Sequence, residues 1–316
     1  MKKLTKIGTY LFSLLVLICI FLAVLLLIAH SRQPNITNPR PTNEQTSRSV
    51  PEKKTKLTHL TVVGIGDSLT FGVGTSTPKK DYMHQLKQKL LQNDAKKVTT
   101  YNFGKPGDTT NDIQARLNSQ PQIQKSLKTA NIIVMTAGGN DLMHALQDNF
   151  QTISSNRFST SMKNAQASYQ LHMTELLKDV RQTNDHAPIF LFSVYDPFYV
   201  YFPNMTALEK YTQQWNQIAE EQTQQLSSTY FVDVGAKLSQ GQYYGKSKTR
   251  LKKQDSSDLG AVSDKNLVKI LSNDQEKNAF LSPNDHFHPN DRGYKLMSVN
   301  LYQNMSKHKE TWFKEE

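Results

Sequence analysis

The sequence contains a single cysteine, Cys19, and this scarcity excludes two classes of structure. A lone cysteine cannot form a disulfide within the chain, and it cannot build a thiolate metal cluster. Acidic side chains are also in the minority, because 38 lysines and arginines outnumber 27 aspartates and glutamates and give a formal net charge of +11. Such a balance favours an anionic neighbour such as nucleic acid, a membrane surface or an anionic wall polymer. Because the sequence has no motif typical of DNA or RNA binding, nucleic acid is not the expected partner.

Phosphate-binding motifs are absent from the glycine-rich stretch VVGIGDSLTFGVG at residues 62–74. A dinucleotide fingerprint requires G-x-G-x-x-G, but Leu69 stands where its third glycine should be. A P-loop requires a lysine after its last glycine, which the stretch lacks, and Asp67 would place negative charge against a phosphate. The G-x-S-x-G elbow of α/β-hydrolases is missing as well. The stretch therefore does not match a phosphate-binding loop, and Ser68 becomes its candidate functional residue.

A long apolar run lies near the N-terminus. Leu11–Ala29 is interrupted only by Ser13, and its length of about 19 residues is close to what spans a bilayer core. Lysines within the first six residues are expected to stay in the cytoplasm. We therefore expect residues 1–30 to form a single-pass membrane anchor with the bulk of the chain outside the cytoplasm. Cleavage as a signal peptide near Ser31 would instead give a secreted protein.

The segment at residues 31–56 is predicted to be a disordered linker. Its prolines are interleaved with asparagine, threonine, serine and arginine, and it has no apolar periodicity. A linker of this kind holds the following domain away from the membrane.

From Leu57 onward, short apolar runs alternate with amphipathic stretches. Alternation of this kind predicts a mainly parallel five-stranded sheet with helices on both faces, a three-layer α/β/α sandwich. Functional groups in such sheets lie at the carboxyl ends of the strands. The predicted strands are residues 60–65, 98–103, 132–136, 189–194 and 230–234, and the predicted helices are residues 79–91, 112–127 with a break near Pro121, 162–183, 208–226 and 292–305.

One segment does not follow the alternation. Residues 235–283 include the basic stretch KSKTRLKK at 246–253 and are predicted to be an insertion before the last helix. The simplest interpretation of this segment is a solvent-exposed surface loop. The alternative is a lid or a contact surface for an anionic polymer.

A serine hydroxyl becomes a nucleophile only when a base takes its proton and donors stabilise the oxyanion. Ser68 follows the first predicted strand, and the other strand ends supply the remaining groups. Gly104 follows the second strand and can bring a bare backbone N–H close to a substrate. Asn140 follows the third and offers a side-chain amide. Asp285 and His288 come just before the last helix.

Together these blocks resemble those of the SGNH hydrolases, the GDSL lipase and esterase superfamily. The resemblance is carried by GDSL at residues 66–69, the glycine at 104, GGND at residues 138–141 and D-x-x-H at residues 285–288. It covers about residues 57–307 and is greatest with the bacterial lysophospholipase and acyl-thioesterase branch. It implies a flavodoxin-like hydrolase domain at residues 57–310 that needs neither metal nor cofactor.

The resemblance also implies a role for each residue. Ser68 is expected to be the nucleophile, His288 its general base and Asp285 the group that orients the base. The oxyanion hole is expected to consist of the N–H groups of Ser68 and Gly104 and the side-chain amide of Asn140. Asp67, beside the nucleophile, is expected to be a supporting residue.

Each residue also has a simpler structural interpretation. Ser68 or Asn140 would serve as a helix cap and Gly104 as a turn glycine. The D-x-x-H spacing recurs in Asp81/His84, which is expected on a solvated helix face, and in Asp141/His144, whose histidine is expected in a helix.

The loop that contains Asp285 and His288 has two further polar residues of interest. His286 is expected to be a bystander that is either solvated or packed within the loop. If His286 and Asp291 joined Asp285 and His288, the four residues would instead form a metal site.

The substrate class is open at this stage. The aromatic stretch YDPFYVYFPNM at residues 195–205 follows the fourth strand and either walls an apolar acyl pocket or packs a loop. Together with the anchor it favours lipid-like esters such as lysophospholipids. An O-acetylated wall polysaccharide is the alternative substrate. Two other classes of function remain as alternatives, a surface module that binds without catalysis and a metal-dependent phosphoesterase.

Overall fold

The computed structural model describes residues 56–149, 156–247, 249, 251 and 275–314. The predicted anchor at residues 1–30 and all but the last residue of the predicted linker lie outside these residues. Among the described residues, no helix has both the length and the apolar character needed to cross a membrane.

Five parallel strands form the central sheet in the order β2-β1-β3-β4-β5. The predicted sheet is therefore confirmed. The register aligns Gly66 at the end of β1 with Gly104 on β2 and Thr136 on β3, so three carboxyl ends meet at one edge. The strands are β1 (Leu57–Gly66), β2 (Ala95–Gly104), β3 (Ile132–Thr136), β4 (Ile189–Phe192) and β5 (Thr229–Val232).

Helices connect the strands, and short 3₁₀ turns occur at Pro78–Lys80, Gly241–Tyr243 and Lys309–Thr311. The helices are α1 (Ser68–Phe71), α2 (Tyr82–Asn93), α3 (Thr110–Ser119), α4 (Pro121–Lys128), α5 (Gly139–Asn149), α6 (Asn156–Thr183), α7 (Thr206–Gln224), α8 (Gly235–Gln240) and α9 (Asp291–Lys307).

Successive residues of β1 point to opposite faces of the sheet, and each face has its own core. Val63 and Ile65 pack with side chains from α3 to α7. Leu60 and Val62 pack with side chains from α2, α8 and α9. All four side chains are almost fully buried, and burial of each contributes about 1.5–3 kcal/mol. The two cores confirm the three-layer sandwich.

The differences from the predicted elements have local causes. The first two strands have ten residues each because exposed, polar residues near their beginnings still pair through the backbone, as in His59 with Lys97. The predicted break near Pro121 is real, since this proline begins α4. The insertion at residues 235–283 begins with α8, and half of its basic stretch, including four of its five lysines and arginines, lies outside the described residues. Its two interpretations therefore stay predictions.

We expect Gly104→Ala to destabilise the fold, because a Cβ atom at this position would lie 2.1 Å from the backbone nitrogen of Phe71. Backbone cannot yield as a flexible side chain can, so the free energy of unfolding should fall by about 2 kcal/mol or more. Urea denaturation measures this change. Gly139→Ala is the matched control, since its nearest neighbour would lie 3.9 Å away. Equal unfolding midpoints for the two variants would contradict the close packing of α1 on β2.

Candidate active site

Ser68 is the first residue of α1 and lies directly beyond the end of β1. The helix forms because Asp67 caps it, with the side chain of Asp67 accepting the N–H of Leu69 at 2.9 Å. Gly72 ends the helix in the left-handed conformation, at φ 95°. The cap is therefore Asp67, and the interpretation of Ser68 as a capping serine is wrong. The turn presents the Ser68 hydroxyl at the carboxyl edge of the sheet.

The structure brings Ser68, His288 and Asp285 together in one hydrogen-bonded chain. The Nε2 atom of His288 lies 2.9 Å from Oγ of Ser68, across 220 positions of sequence. The Nδ1 atom of the same ring lies 2.7 Å from Oδ2 of Asp285. This order of serine, imidazole and carboxylate is what base-assisted nucleophilic attack requires.

The carboxylate of Asp285 is held by its own loop. Its Oδ1 atom accepts the backbone N–H groups of Phe287 and His288, both at 3.0 Å. Burial raises the pKa of Asp285, but the hydrogen bonds from His288 and Phe287 outweigh that effect and lower the pKa below its ordinary value. Asp285 is therefore ionised at neutral pH and fixes the orientation of the imidazole.

Asp67, the predicted supporting residue, is buried beneath the nucleophile. Its Oδ1 atom accepts the Thr136 hydroxyl at 2.7 Å as well as the N–H of Leu69. Burial raises the pKa of Asp67, and these two hydrogen bonds oppose the rise. The contacts support the turn at Ser68 and tie it to the end of β3.

Asn140 is the second residue of α5, so its interpretation as an N-cap is wrong. Its side-chain Nδ2 donates to the carbonyl oxygen of Asp108 at 2.7 Å. This hydrogen bond joins the start of α5 to the loop after β2. Asn140 and Ser68 line the same cavity, so the amide lies close to the nucleophile.

The structure does not present Gly104 as a free donor. Gly104 is the last residue of β2, its N–H donates to Oδ1 of Asn102 at 2.9 Å, and its Cα faces the backbone of Phe71. Three residues later, Gly107 is exposed at φ 85°. Its N–H has no hydrogen-bond partner among the described residues, and the next residue, Asp108, is the one that Asn140 binds. The expectation for Gly104 is therefore corrected, and Gly107 is the better-placed donor.

The signal for Gly107 was present in the sequence. Lys105–Pro106–Gly107–Asp108 has proline and glycine at the central positions that a type II turn favours. The N–H of Asp108 reaches the carbonyl of Lys105 at 3.3 Å and closes this turn.

A mainly apolar cavity of about 40 Å³ lies beside Ser68. Tyr195 and Pro197 of the aromatic stretch line it, whereas Tyr199, Tyr201 and Phe202 are buried in separate packing clusters. The stretch therefore both packs its loop and contributes to the cavity, and the use of this cavity for an acyl group stays a prediction. The apolar lining comes chiefly from Leu142, Met143, Val194, Tyr195, Pro197 and Phe287.

The other D-x-x-H pairs have structural roles. Asp81 caps α2 by accepting the N–H of His84 at 2.7 Å and is mostly buried, so a solvated position for this residue is wrong. Asp141 lies in the first turn of α5 and accepts the N–H and hydroxyl of Thr110 at 2.9 and 3.0 Å. His144 lies in the same helix, as expected.

The polar side chains of residues 285–291 do not converge on one point. Nδ1 of His286 meets Glu276 at 2.6 Å, while Asp291 binds the N–H and hydroxyl of Ser76. Within the described part of the chain, no group of three or more acidic, histidine or cysteine side chains is arranged to hold a metal ion. His286 is buried, so of its two expected positions the packed one is correct.

Comparisons with known proteins agree with this geometry. The model of the GDSL-like lipase/acylhydrolase family matches residues 65–296. The uncharacterized protein YpmR of Bacillus subtilis is 27% identical over 267 residues, which are 84% of this chain and 89% of that protein. The spore germination lipase LipC of Bacillus licheniformis is 28% identical over 158 residues, which are 50% of this chain and 72% of that lipase.

Solved structures share the fold. The lipase Lip_vut3 from a goat rumen metagenome superposes with a TM-score of 0.55 at 21% identity, covering 78% of this chain and 97% of that one. Phospholipase A1 from Streptomyces albidoflavus NA297 gives a TM-score of 0.51 at 17% identity, covering 77% and 98%. These two similarities show that the proteins share a fold.

We expect Asn140→Ala to lower kcat by about a hundredfold or more, because it removes a donor placed beside Ser68. Ester turnover and urea denaturation are measured on the same preparation. Asn304→Ala is the control, since that amide also donates to a backbone carbonyl, that of Phe231, but from the far end of α9. Unchanged turnover in Asn140→Ala would remove this residue from the mechanism.

Proposed function

The chain belongs to the GDSL-like lipase/acylhydrolase family and is an ester-bond hydrolase, and we propose that it works by two-step acyl transfer through Ser68. The hydrogen-bonded chain from Asp285 through His288 to Ser68 is the observation that carries this proposal. A serine with this arrangement is activated at neutral pH without a metal ion.

In the first step, Nε2 of His288 takes the proton from Oγ of Ser68 while Oγ attacks the ester carbonyl carbon. The ionised Asp285 stabilises the imidazolium that forms. The tetrahedral intermediate collapses, the bond to the alcohol oxygen breaks, and His288 gives its proton to the leaving alcohol. In the second step, His288 takes a proton from water, and the hydroxide attacks the acyl-serine. The acid is released and Ser68 regains its proton.

The developing oxyanion requires donors fixed in advance. The N–H of Ser68 and the side-chain amide of Asn140 are two of them. Gly107 replaces Gly104 as the third, because its N–H has no partner among the described residues and its loop is held against Asn140. Donors of this kind act without reorganising during the reaction, which makes them more effective than water.

The cavity beside Ser68 favours a short acyl group. A buried water needs about 10–15 Å³, so a cavity of about 40 Å³ has room for roughly three water-sized groups. Acyl groups of about two to four carbons match this space, whereas a long chain would extend beyond it. Short-chain carboxylic esters are therefore the proposed substrates in preference to long-chain lysophospholipids.

An O-acetyl esterase that acts on a polysaccharide is the second candidate. A hollow of about 340 Å³ borders the loop that contains Asp285 and His288, and its polar lining residues include Ser76, Asn284, Asn290, Asp291 and Arg292. Hydroxyl, amide and charged groups suit a leaving group rich in hydroxyls, and an acetyl group fits the cavity.

The proposed place of action is outside the cytoplasm. This proposal rests on the apolar run Leu11–Ala29 and the lysines before it, which lie outside the described residues. Protease treatment of intact cells tests it, since a catalytic domain that stays protected would contradict an external location.

We expect the full chain to be labelled by a fluorophosphonate probe and Ser68→Ala to be neither labelled nor active, because the probe bonds only to an activated serine. Gel fluorescence and ester hydrolysis measure the two effects, with EDTA as a control for metal dependence. Ser76→Ala is the matched serine control and should be labelled like the parent. A parent that is neither labelled nor active would point to a binding module.

We expect the parent to prefer p-nitrophenyl acetate or butyrate over the palmitate by at least about tenfold in kcat/KM, because the cavity excludes a long chain. Met143→Ala should move the preference toward longer chains by enlarging the cavity. Leu146→Ala, one turn along α5 and outside the cavity lining, is the control and should keep the parent's order. A parent that prefers palmitate would contradict the short acyl group and favour a lipid substrate.

A further inference from the structure

We propose that His286, Glu276 and Tyr201 form a brace that positions the catalytic loop, Asp285–His288. The inference rests on the proposed function, because it concerns how Asp285 and His288 are kept aligned with Ser68. The three residues of the brace are positioning residues and not part of the catalytic chain itself. None of them belongs to the described residues that line the cavity.

The loop contains a backbone conformation that needs external support. His286 has φ 55°, in the left-handed region that side chains other than glycine rarely adopt. A residue in this region is strained and persists only where its surroundings enforce it. His286 immediately follows Asp285, so its conformation determines whether the Asp285 carboxylate can reach both backbone N–H groups and the imidazole of His288.

The side chain of His286 is anchored in a buried network. Only 2% of the residue is exposed, and its Nδ1 lies 2.6 Å from Oε2 of Glu276. The other oxygen of Glu276 accepts the hydroxyl of Tyr201 at 2.8 Å and the N–H of Asn278 at 2.6 Å. The Tyr201 oxygen also accepts the N–H of Lys277 and lies 3.1 Å from Nδ1 of His286. Each partner is thus held by at least two others.

A second tyrosine fixes the next residue of the loop. The hydroxyl of Tyr195 donates to the carbonyl oxygen of Phe287 at 2.6 Å. Tyr195 and Tyr201 both belong to the segment between β4 and α7. This segment therefore holds both inner residues of the loop, one through a side chain and the other through its backbone.

Loss of the brace would let residue 286 relax toward negative φ. The peptide between Asp285 and His288 would then rotate, and Asp285 would no longer meet Nδ1 while Nε2 faces Ser68. Displacement of catalytic groups by about 1 Å is enough to cost about a hundredfold in rate. Substrate binding should change less than turnover, because Phe287 is the one loop residue among the described residues that line the cavity.

The test compares two variants of the full chain in which phenylalanine replaces a tyrosine and so removes only its hydroxyl group. Tyr201→Phe removes the hydrogen bond to Glu276, and Tyr302→Phe removes an equivalent one, at 2.7 Å, to Asp94 far from the loop. Values of kcat and KM for p-nitrophenyl acetate, fluorophosphonate labelling rates and unfolding midpoints are measured for both. We expect Tyr201→Phe and Glu276→Gln to lose about tenfold or more in kcat and labelling rate, with KM within about twofold. Tyr302→Phe should keep the parent's kcat.

Two substitutions of His286 separate backbone conformation from packing. His286→Gly removes the imidazole but keeps positive φ accessible, whereas the branched side chain in His286→Val opposes it. The brace predicts a lower kcat for the valine variant than for the glycine variant. A role limited to filling space predicts the opposite order, because glycine leaves the larger void.

The outcomes distinguish this inference from the proposed function. A parent that is not labelled at Ser68 overturns both. A labelled and active parent whose Tyr201→Phe and Glu276→Gln variants match Tyr302→Phe in kcat overturns the brace alone. A glycine variant of His286 with a lower kcat than the valine variant also overturns the brace alone.

Discussion

The parallel register of β1 with its two neighbours is the constraint on which the site depends. Gly66 ends β1 between Gly104 and Thr136, and a Cβ atom on Gly66 would lie 2.4 Å from the Thr136 carbonyl oxygen. Arg116 reinforces this edge by donating to the carbonyl oxygens of Gly66 and Phe103 and by pairing with Asp108. The end of the sheet, the turn at Ser68 and the loop after β2 are therefore one connected unit.

The five-stranded sheet, and the polar residues that gather at its carboxyl edge, could be predicted from the sequence for a physical reason. Buried parallel strands are continuous apolar runs, and their carboxyl ends share an edge, so polar residues after each run must gather there. Ser68 and Asn140 occupy such positions, whereas Asp285 and His288 lie just before the last helix and were assigned from the resemblance to the family. Gly104 was expected to follow the second strand, but β2 includes it as its last residue and its N–H donates to the side chain of Asn102, a contact that the spacing of motifs does not encode.

The rest depends on contacts that sequence spacing does not encode. His286 was expected to be a bystander, yet its partner Tyr201 lies 85 positions away and Glu276 comes from the insertion. The size of the cavity is likewise set by residues from four separate segments, including Met143, Tyr195 and Phe287. Such tertiary packing decides which acyl group fits and how the loop is held, whereas the motifs decide only which chemistry is present.

The separation of 220 positions between Ser68 and His288 has a consequence for biosynthesis. Ser68 leaves the ribosome long before His288 and before α9, the helix that follows His288. Because domains fold as units, the proposed hydrogen-bonded chain cannot form until this later part of the domain has been made and has packed. Under the proposed mechanism, a nascent chain that has not yet reached His288 would be inactive as an esterase, however well its first strands have paired.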